Sequence, residues 1–428
     1  MSSAGPPAGG SAGPDPETVT GVASHRPPTA ARRPPLVLVF SITVTGILAN
    51  TLVNAPLPDI LADFGVGDAA AGLVVAAATL PGIVVAPLIG LAADRYGRRA
   101  VLVPCLVVFG LAGVAAAFAP SFGVLLAARL VQGFGSAGLI NLAVVLLGDH
   151  WTGAERARLI GVNAAVLTVS VAVFPALGGV LTQLGGWRWS FAPYSVALVT
   201  AAAVAVLLPR AAPAAPVSVG GQVRDALAVL RQPPVLGAVS YGFVLFALVF
   251  GLFLTALPIL LEDRFGLDPA ARGLMLAAPA ATSTVAALTL GRARARVGAA
   301  GLLVVANVVF VIGFALIGAA PALVVVVAGA LLYGYGEGSA IPTIQDLVAG
   351  RAPEASRAAV VAAWVGAARA GQTVGPLVAG VVLGAVGPGA TYLLGALVAA
   401  ALLGGQLGLT RVLRRRGRRP EAAADGPR

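Results

Sequence analysis

The chain has 428 residues, of which 58% are hydrophobic and only 11% are charged. Water-soluble domains carry roughly 25% charged residues, so this composition excludes an ordinary soluble protein and predicts a membrane protein. The formal net charge of +11 lies in loops and tails rather than on one folded face. It therefore indicates membrane orientation, and no nucleic-acid partner is expected. Two histidines and the single Cys105 make no metal-ligand pattern, so no metal site is expected.

In chain order, residues 1–35 are rich in Ala, Gly, Pro and Ser and predict a disordered cytoplasmic tail. Twelve apolar runs follow, and each is long enough to cross a bilayer as a helix of roughly 20 residues. They are named spans 1 to 12 and lie at 36–58, 70–92, 100–119, 122–148, 158–182, 190–208, 235–261, 272–291, 300–318, 322–347, 357–383 and 389–409.

The predicted fold is an all-α membrane protein of twelve transmembrane helices, because helices satisfy their backbone groups in lipid. The polar stretch 209–234 is predicted to be a cytoplasmic linker between an N-terminal bundle (36–208) and a C-terminal bundle (235–410). Residues 411–428 are predicted to form a basic cytoplasmic tail.

The placement of arginine predicts the orientation of the chain. With the N-terminus inside, most arginines fall in cytoplasmic segments, including Arg98, Arg294 and the cluster from Arg411. The outside segments hold few arginines and most of the loop acids, namely Arg188, Arg264 and Arg272 with Asp59, Asp63, Asp68, Glu262, Asp263 and Asp268. Both termini are therefore expected in the cytoplasm.

The two halves repeat. Gly90–Gly97 and Gly291–Gly298 bracket basic loops, and Gly133-Phe134-Gly135 matches Gly334-Tyr335-Gly336. Parallel repeats of six spans with a substrate site at their interface are a known plan of transporters.

The loop Gly90–Arg99 places four charges and two glycines between two apolar runs. It resembles the loop between helices 2 and 3 of the major facilitator superfamily, a large class of secondary transporters, and the resemblance extends over residues 36–410. It implies a gate in which Asp94 caps span 11 while Arg98 pairs with Asp149 at the inner end of span 4. The predicted gating residues are Gly90, Asp94, Arg95, Gly97, Arg98 and Asp149. Alternatively, these charges only anchor a cytoplasmic turn.

Span 4 holds a second pattern, Leu126–Gly133, with Arg129 inside the span. In the family this pattern resembles one linked to proton coupling. An unpaired arginine at the centre of a span costs about 2.5–3.5 kcal/mol on insertion scales and by default indicates function. The alternative is that Arg129 snorkels towards the outer headgroups.

A third resemblance is to the glycine–proline pattern that marks antiporters in the family. Span 5 carries an incomplete copy in which Ser170 and Phe174 replace usual glycines, and span 11 carries a better one. Proline kinks a helix and small residues allow close helix contact, so packing alone is the alternative explanation. The predicted packing residues are Pro175, Gly178, Gly179, Gly371, Gly375 and Pro376.

Glu337 is the leading candidate for a proton carrier. It lies inside span 10 between Gly336 and Gly338, and intramembrane acids build the proton relays of transporters. Arg369 in span 11 lies at comparable depth, so a Glu337–Arg369 pair is expected. Drug:proton antiporters often carry an acid where this chain has Ala49 in span 1, so coupling must use another group. A permanently neutral or paired structural Glu337 is the alternative.

A central cavity is expected to be poor in charge. Phe243, Phe246, Phe250 and Phe253 fall on one predicted face of span 7, where they either contact apolar substrate or pack against neighbours and lipid. The predicted cavity residues are Asn50, Asn54, Phe246, Phe250, Tyr335 and Gln372.

The resemblance implies a drug:proton antiporter that exports a small amphipathic molecule by alternating access across the plasma membrane of a bacterium. Its expected partners are the substrate, protons and the lipid bilayer, with the proton gradient in place of a cofactor, and a monomer is expected. A proton-coupled importer of a metabolite is the alternative, favoured by the incomplete span 5 pattern. A membrane-embedded enzyme is not expected, because no clustered His, Cys or paired acids share one depth.

Overall fold

The structure is a computed structural model that describes residues 33–209, 233–351 and 357–417. Over these residues every regular element is helical, which confirms the predicted all-α fold. The predicted tail at 1–35 and linker at 209–234 lie almost entirely outside the described residues, as does 418–428 of the predicted basic tail.

The helices follow the predicted spans, with ends that differ by a few residues. Their bounds are Leu36–Thr51 and Leu57–Asp63 (span 1), Asp68–Ala70, Ala71–Thr79 and Pro81–Tyr96 (span 2), Arg98–Ala117 (span 3), Phe122–Ser136 and Leu139–His150 (span 4), Gly153–Gly185 (span 5), Trp187–Ser195 and Val196–Leu207 (span 6), Pro233–Leu248, Val249–Ala256 and Leu257–Phe265 (span 7), Pro269–Ala277 and Pro279–Ala319 (spans 8 and 9), Leu323–Arg351 (span 10) and Arg357–Gly417 (spans 11 and 12).

Span 1 is not the single run that the sequence predicts. Its helix ends at Thr51 and resumes at Leu57. Pro56 and Pro58 account for the break, because proline lacks a backbone N–H and disfavours helical geometry at the preceding residue. The break places the short helix Leu57–Asp63, with Asp59, at the end of the bundle.

Two of the long helices each contain two antiparallel rods, which turn at Gly298 and Gly387. Both glycines have a positive φ angle, a conformation that side chains with a Cβ rarely adopt. Thr282 and Gly313 both contact span 10 within a few residues of each other, although a straight helix would hold them about 46 Å apart. The chain therefore reverses at Gly298. Over the described residues, nine stretches are long and apolar enough to cross a membrane, and with these two reversals and the shorter Leu36–Thr51 they are consistent with twelve spans.

The two halves are built alike. The turn glycines Gly97 and Gly298 are separated by the same number of residues as Gly186 and Gly387, and all four have positive φ. Gly133 and Gly334 share this interval, and each touches the backbone of a neighbouring span in its own half. The repeat seen in the sequence is therefore a repeat in three dimensions.

The halves meet through backbone contacts that obey the same repeat. A Cβ added to Gly72 in span 2 would strike the Pro376 carbonyl in span 11, and one added to Gly273 in span 8 would strike the Pro175 carbonyl in span 5. Both contacts lie near the end of the bundle that carries Asp59, here called the acidic end. The opposite end, with Arg98 and Arg294, is called the basic end.

The four spans at this interface separate towards the basic end. Span 11 contacts Ala71–Thr79 of span 2 far more than Pro81–Tyr96, and span 5 contacts Pro269–Ala277 of span 8 far more than the helix that follows it. The same spans touch backbone to backbone at the acidic end. The molecule is therefore sealed between the halves at its acidic end.

Gly334→Ala tests the close packing within the C-terminal half. The new methyl would meet the Pro279 carbonyl and Thr282 hydroxyl, so spans 8 and 10 must separate and the melting temperature should fall by several degrees. Gly291→Ala is the matched control, because it adds the same methyl to a helix with open space and alanine favours a helix. Equal melting temperatures for the two variants would contradict the packing described here.

Candidate functional site

An ionic clamp joins the two halves at the acidic end. Arg272 at the start of span 8 binds Asp59 from span 1 through Nη2 and Glu262 from span 7 through Nη1, at 3.0 Å in the latter case. The arginine side chain is only 1% exposed, whereas the two acids are 30% and 44% exposed. Because Asp59 belongs to the other half, this clamp must break before the acidic end can open.

The environment of Asp59 shifts its titration. Burial raises the pKa of the Asp59 carboxyl above its ordinary value, and the nearby positive charge of Arg272 opposes this rise. A nearby acid at the same end behaves differently: hydrogen bonds from Trp187 and Arg188 lower the pKa of Asp63. Trp187, Arg188 and Asp63 all belong to the N-terminal half, so this second ion pair, at 2.8 Å, does not join the halves.

The predicted gating charges come together at the basic end, within the N-terminal half. Arg98 binds Asp94 and also Asp149, with Nε 3.1 Å from the Asp149 carboxylate. The Arg98–Asp149 pair is thus present, while the contact described for Asp94 is with Arg98 rather than with span 11. Gly97 has a φ of 89° at the turn, and no atom lies near a Cβ built on Gly90.

The remaining predicted gate residue, Arg95, lies over the ring of Tyr96 at 5.4 Å. The C-terminal half has a comparable pair, because Arg294 lies 2.5 Å from Asp346. Each half therefore keeps these basic-end ion pairs to itself in this conformation, where the halves are joined at the other end.

Arg129 is 2% exposed and does not snorkel. Its guanidinium donates to the carbonyl oxygens of Ala49 at 3.1 Å and Val74 at 3.4 Å, to Gln132 at 2.7 Å and to Tyr194 at 3.3 Å. These acceptors belong to spans 1, 2, 4 and 6, so the side chain ties four helices of one half together. No carboxylate is among its contacts in the described chain, so a role in proton coupling stays a prediction.

Glu337 is half-buried in span 10, and its hydrogen-bond partner is the Tyr333 hydroxyl one turn away. Tyr333 is held in turn by a stack on Phe253, with ring centroids 4.2 Å apart, and by Phe310 and Phe314. The carboxyl thus lies against a rigid aromatic cluster inside the C-terminal half.

The predicted pair between Glu337 and Arg369 is not formed in this conformation. Arg369 instead crosses to the N-terminal half, where Nη1 lies 3.0 Å from a Cβ built on Gly82. Among the described residues it makes no ion pair, and its buried Nε has no hydrogen-bond partner. The two groups share a depth but face different neighbours, which helical rise alone does not reveal.

The six residues predicted to line a cavity keep that role as a prediction, and their described contacts are with other groups of the bundle. Asn54 is buried and donates to the Asn50 carbonyl, while Phe246 contacts both Phe250 and the indole of Trp364. The phenylalanines predicted to share one face of span 7 have different neighbours, because Phe246 contacts Trp364 in span 11 whereas Phe253 stacks on Tyr333 in span 10. The reason is that Val249–Ala256 is a π-helix, whose wider turn rotates later residues away from the 3.6-residue period. Tyr335 and Gln372 are half-buried.

The glycine–proline residues serve close packing. Gly371 and Gly375 lie against the backbone of Phe243 and Ala247 in span 7, and Gly178 and Gly179 lie against Leu52 and Pro269. Pro175 and Pro376 supply the carbonyls that the opposite half contacts. All six predicted residues are therefore at close helix contacts.

Three features of the site are not predicted by the sequence patterns. They are the clamp at Arg272, the buried Trp364 beside Phe246, and a hydrogen bond of 3.0 Å from the Thr373 hydroxyl to that of Thr79 in the other half. In the sequence Arg272 is an outside charge, and its position among the outside acids Asp59 and Glu262 is the signal that could have pointed to a clamp.

Comparison with known proteins identifies the family. Residues 39–279 and 240–427 match the Major Facilitator Superfamily, so the chain belongs to it. The family and the long apolar helices of the described residues make it a multi-pass membrane protein of the transporter class.

Curated relatives include resistance proteins and exporters. The chain is similar to the puromycin resistance protein of Streptomyces alboniger, with 35% identity over 36% of this chain and 31% of the relative. It is 36% identical to the multidrug resistance protein Stp of Mycobacterium tuberculosis over 33% of this chain and 26% of the relative. The bacillibactin exporter of Bacillus subtilis is 28% identical over 37% of this chain and 40% of the relative. Each alignment spans less than half of the relative's length.

Solved structures share the fold over nearly the whole chain. The nucleoside transporter NupG aligns with a TM-score of 0.69 and 15% identity, covering 88% of this chain and 98% of its own. A bacterial homolog of the human lysosomal transporter Spinster, in an inward-facing and occupied conformation, aligns with a TM-score of 0.66 and 16% identity, covering 89% and 96%. At such identities the likeness shows the fold.

Arg272→Gln tests the clamp. Spin labels at Ala62 and Asp263, in a Cys105→Ala background, report the distance between the halves at the acidic end. Loss of the charged clamp should add a population with longer distances, because Asp59 and Glu262 would face each other without a cation. Arg188→Gln is the matched control, since it removes an ion pair at the same end but within one half. Identical distance distributions in the two variants would show that the clamp does not hold the halves.

The same labels test the titration of Asp59. A carboxyl with a raised pKa in the closed form binds a proton more readily there than in a hydrated, open form. Lowering the pH from about 7 to about 5 should therefore favour the short distances of the closed form. Asp59→Asn should reduce this dependence without abolishing it, because burial also raises the pKa of Glu262 on the same arginine. Longer distances at low pH in the unmodified chain would contradict the assignment.

Proposed function

We propose that this transporter exports a small amphipathic molecule in exchange for protons. The observation that carries the proposal is Glu337, an intramembrane carboxyl held by Tyr333 beside the aromatic cluster of the C-terminal half. Such a group can take up and release a proton as the halves rearrange, which is how transporter relays use membrane acids. The similarity to resistance proteins and exporters supports efflux.

The arrangement of ion pairs supports alternating access. The halves are joined at the acidic end by Arg272 and Asp59, whereas Arg98 and Arg294 pair within their own halves at the basic end. With the basic end in the cytoplasm, as the arginine distribution predicts, this is an inward-facing conformation. We further propose a plasma-membrane location in a bacterium and a monomeric protein.

The second candidate is a proton-coupled importer of a metabolite. The incomplete glycine–proline pattern of span 5, with Ser170 and Phe174 in place of glycines, favours it. The two candidates differ in a single measurable sign: an antiporter moves substrate against the direction of proton flow and a symporter moves both together.

Reconstitution into vesicles with an imposed pH gradient tests the proposal. The probes are one lipophilic cation, one neutral aromatic amide and one aromatic carboxylate. Antiport predicts that at least one probe accumulates on the proton-rich side, in proportion to the gradient. Movement in the same direction as protons would support the importer, and movement that ignores the gradient would contradict both.

Glu337→Gln tests the proton carrier. The amide cannot take up a proton, so accumulation driven by the pH gradient should be abolished, while exchange of probe across the membrane at equal pH should persist. Asp263→Asn makes the same chemical change at an exposed acid and should leave gradient-driven accumulation unchanged. Normal accumulation in Glu337→Gln would exclude this carboxyl as the carrier.

A further inference from the structure

We infer that Arg369 is the binding site for an anionic group on the substrate, so that the transported molecules carry a carboxylate or a related acid on an apolar body. This inference rests on the proposed transport function and narrows its substrate class.

Among the described residues, the two fully buried arginines of the bundle are compensated by acceptors. Arg129 donates to two carbonyl oxygens, an amide oxygen and a hydroxyl, and Arg272 contacts two carboxylates. Arg369, by contrast, is half-buried, its Nε is buried without a hydrogen-bond partner, and it forms no ion pair within the described chain. A cation kept inside a membrane span without a partner is costly and by default indicates a functional site.

The position of Arg369 is where a substrate would arrive. One turn towards the acidic end, Thr373 binds Thr79 of the other half at 3.0 Å, so the interface is closed there. One turn towards the basic end, Gly366 has open space beside it. The guanidinium therefore lies at the point where the two halves diverge, at the closed end of a space that widens towards the basic end.

The guanidinium also bridges the two halves at this point. It extends from span 11 to Gly82 in span 2, where Nη1 occupies the space that a side chain would fill. An anion bound there contacts both halves at once, which lets its binding bias their rearrangement. The planar fork of arginine suits a carboxylate in particular, because two N–H groups can donate in parallel.

The separation of Arg369 from Glu337 leaves the guanidinium free for this role. The Glu337 carboxyl accepts a hydrogen bond from the Tyr333 hydroxyl. It does not pair with Arg369 and therefore does not neutralise the guanidinium. Half-buried Gln372 lies three residues along the same helix and supplies a neutral polar group near the bound head.

Binding of matched probes tests the inference on the purified full chain. The probes are 2-naphthoate, 2-naphthamide and 2-naphthylmethylammonium, which share one ring system and differ in charge. In isothermal titration, naphthoate should bind about tenfold or more tightly than the amide, since a charge-assisted bond replaces a neutral one. Arg369→Gln should bring the two affinities together, and Arg369→Lys should keep part of the preference.

Arg188→Gln serves as the control, because it removes an arginine that pairs at the surface and should preserve the preference for naphthoate. Equal affinities for naphthoate and the amide in the unmodified chain would overturn the inference, as would a preference for the ammonium probe or no binding of any probe at millimolar concentration. A naphthoate preference that survives in Arg369→Gln would also overturn it. The comparison in the unmodified chain holds even if the Arg369 variants fail to fold.

Two further measurements separate the sources of the anion and the two proposals. The first measures naphthoate affinity with and without excess chloride or an anionic phospholipid. A lower affinity in the presence of either competitor would show that an inorganic ion or a lipid head group can occupy the same site. Naphthoate preference without gradient-driven movement would refute the proposed function alone. Gradient-driven transport of a cation that is unaffected by Arg369→Gln, with no naphthoate preference, would refute this inference alone.

Discussion

The close approach of backbones at the acidic end is the constraint on which the rest of the structure depends. Gly72 against Pro376 and Gly273 against Pro175 are the same contact made twice by the internal repeat. With the backbones touching, the spans that carry them cannot be parallel along their whole length, and they separate towards the basic end. The space where Arg369 lies exists because the halves touch at the acidic end and diverge towards the basic end.

Charge placement follows from the same geometry. The acidic end uses an ion pair between halves, because Arg272 and Asp59 are brought together where the backbones meet. At the basic end the ion pairs lie within each half, because the spans of the two halves have diverged there. Arg98 accordingly pairs with Asp94 and Asp149 of its own half. In a conformation sealed at the other end, the loop charges of Arg98 and Arg294 would be free to meet the opposite half.

Sequence patterns predict the parts of this molecule that depend on composition and local spacing. Hydropathy predicts the spans, and the repeated glycines predict that the two halves are alike. The charge-rich loop predicts the pair between Arg98 and Asp149, which the structure contains. The patterns fail where the outcome depends on rotation about a helix axis. The π-helix at Val249–Ala256 turns Phe253 away from the predicted face, and Arg369 faces Gly82 rather than Glu337. Residue number predicts the depth of a side chain in the membrane, but tertiary packing decides which neighbouring helix that side chain contacts.

Glu337 and Arg369 contact different groups rather than each other, and this has a mechanistic consequence. Had the two formed an ion pair, the carboxyl would stay ionised and the guanidinium would be occupied, so that neither could exchange its ligand freely. Tyr333 holds the acid inside one half, and the arginine reaches into the other. In the proposed mechanism, proton binding would alter the charge of the C-terminal half, and anion binding would alter the contact between the halves. Coupling of the two events requires only that both favour rearrangement about the glycine–proline contacts, without any direct bond between the groups.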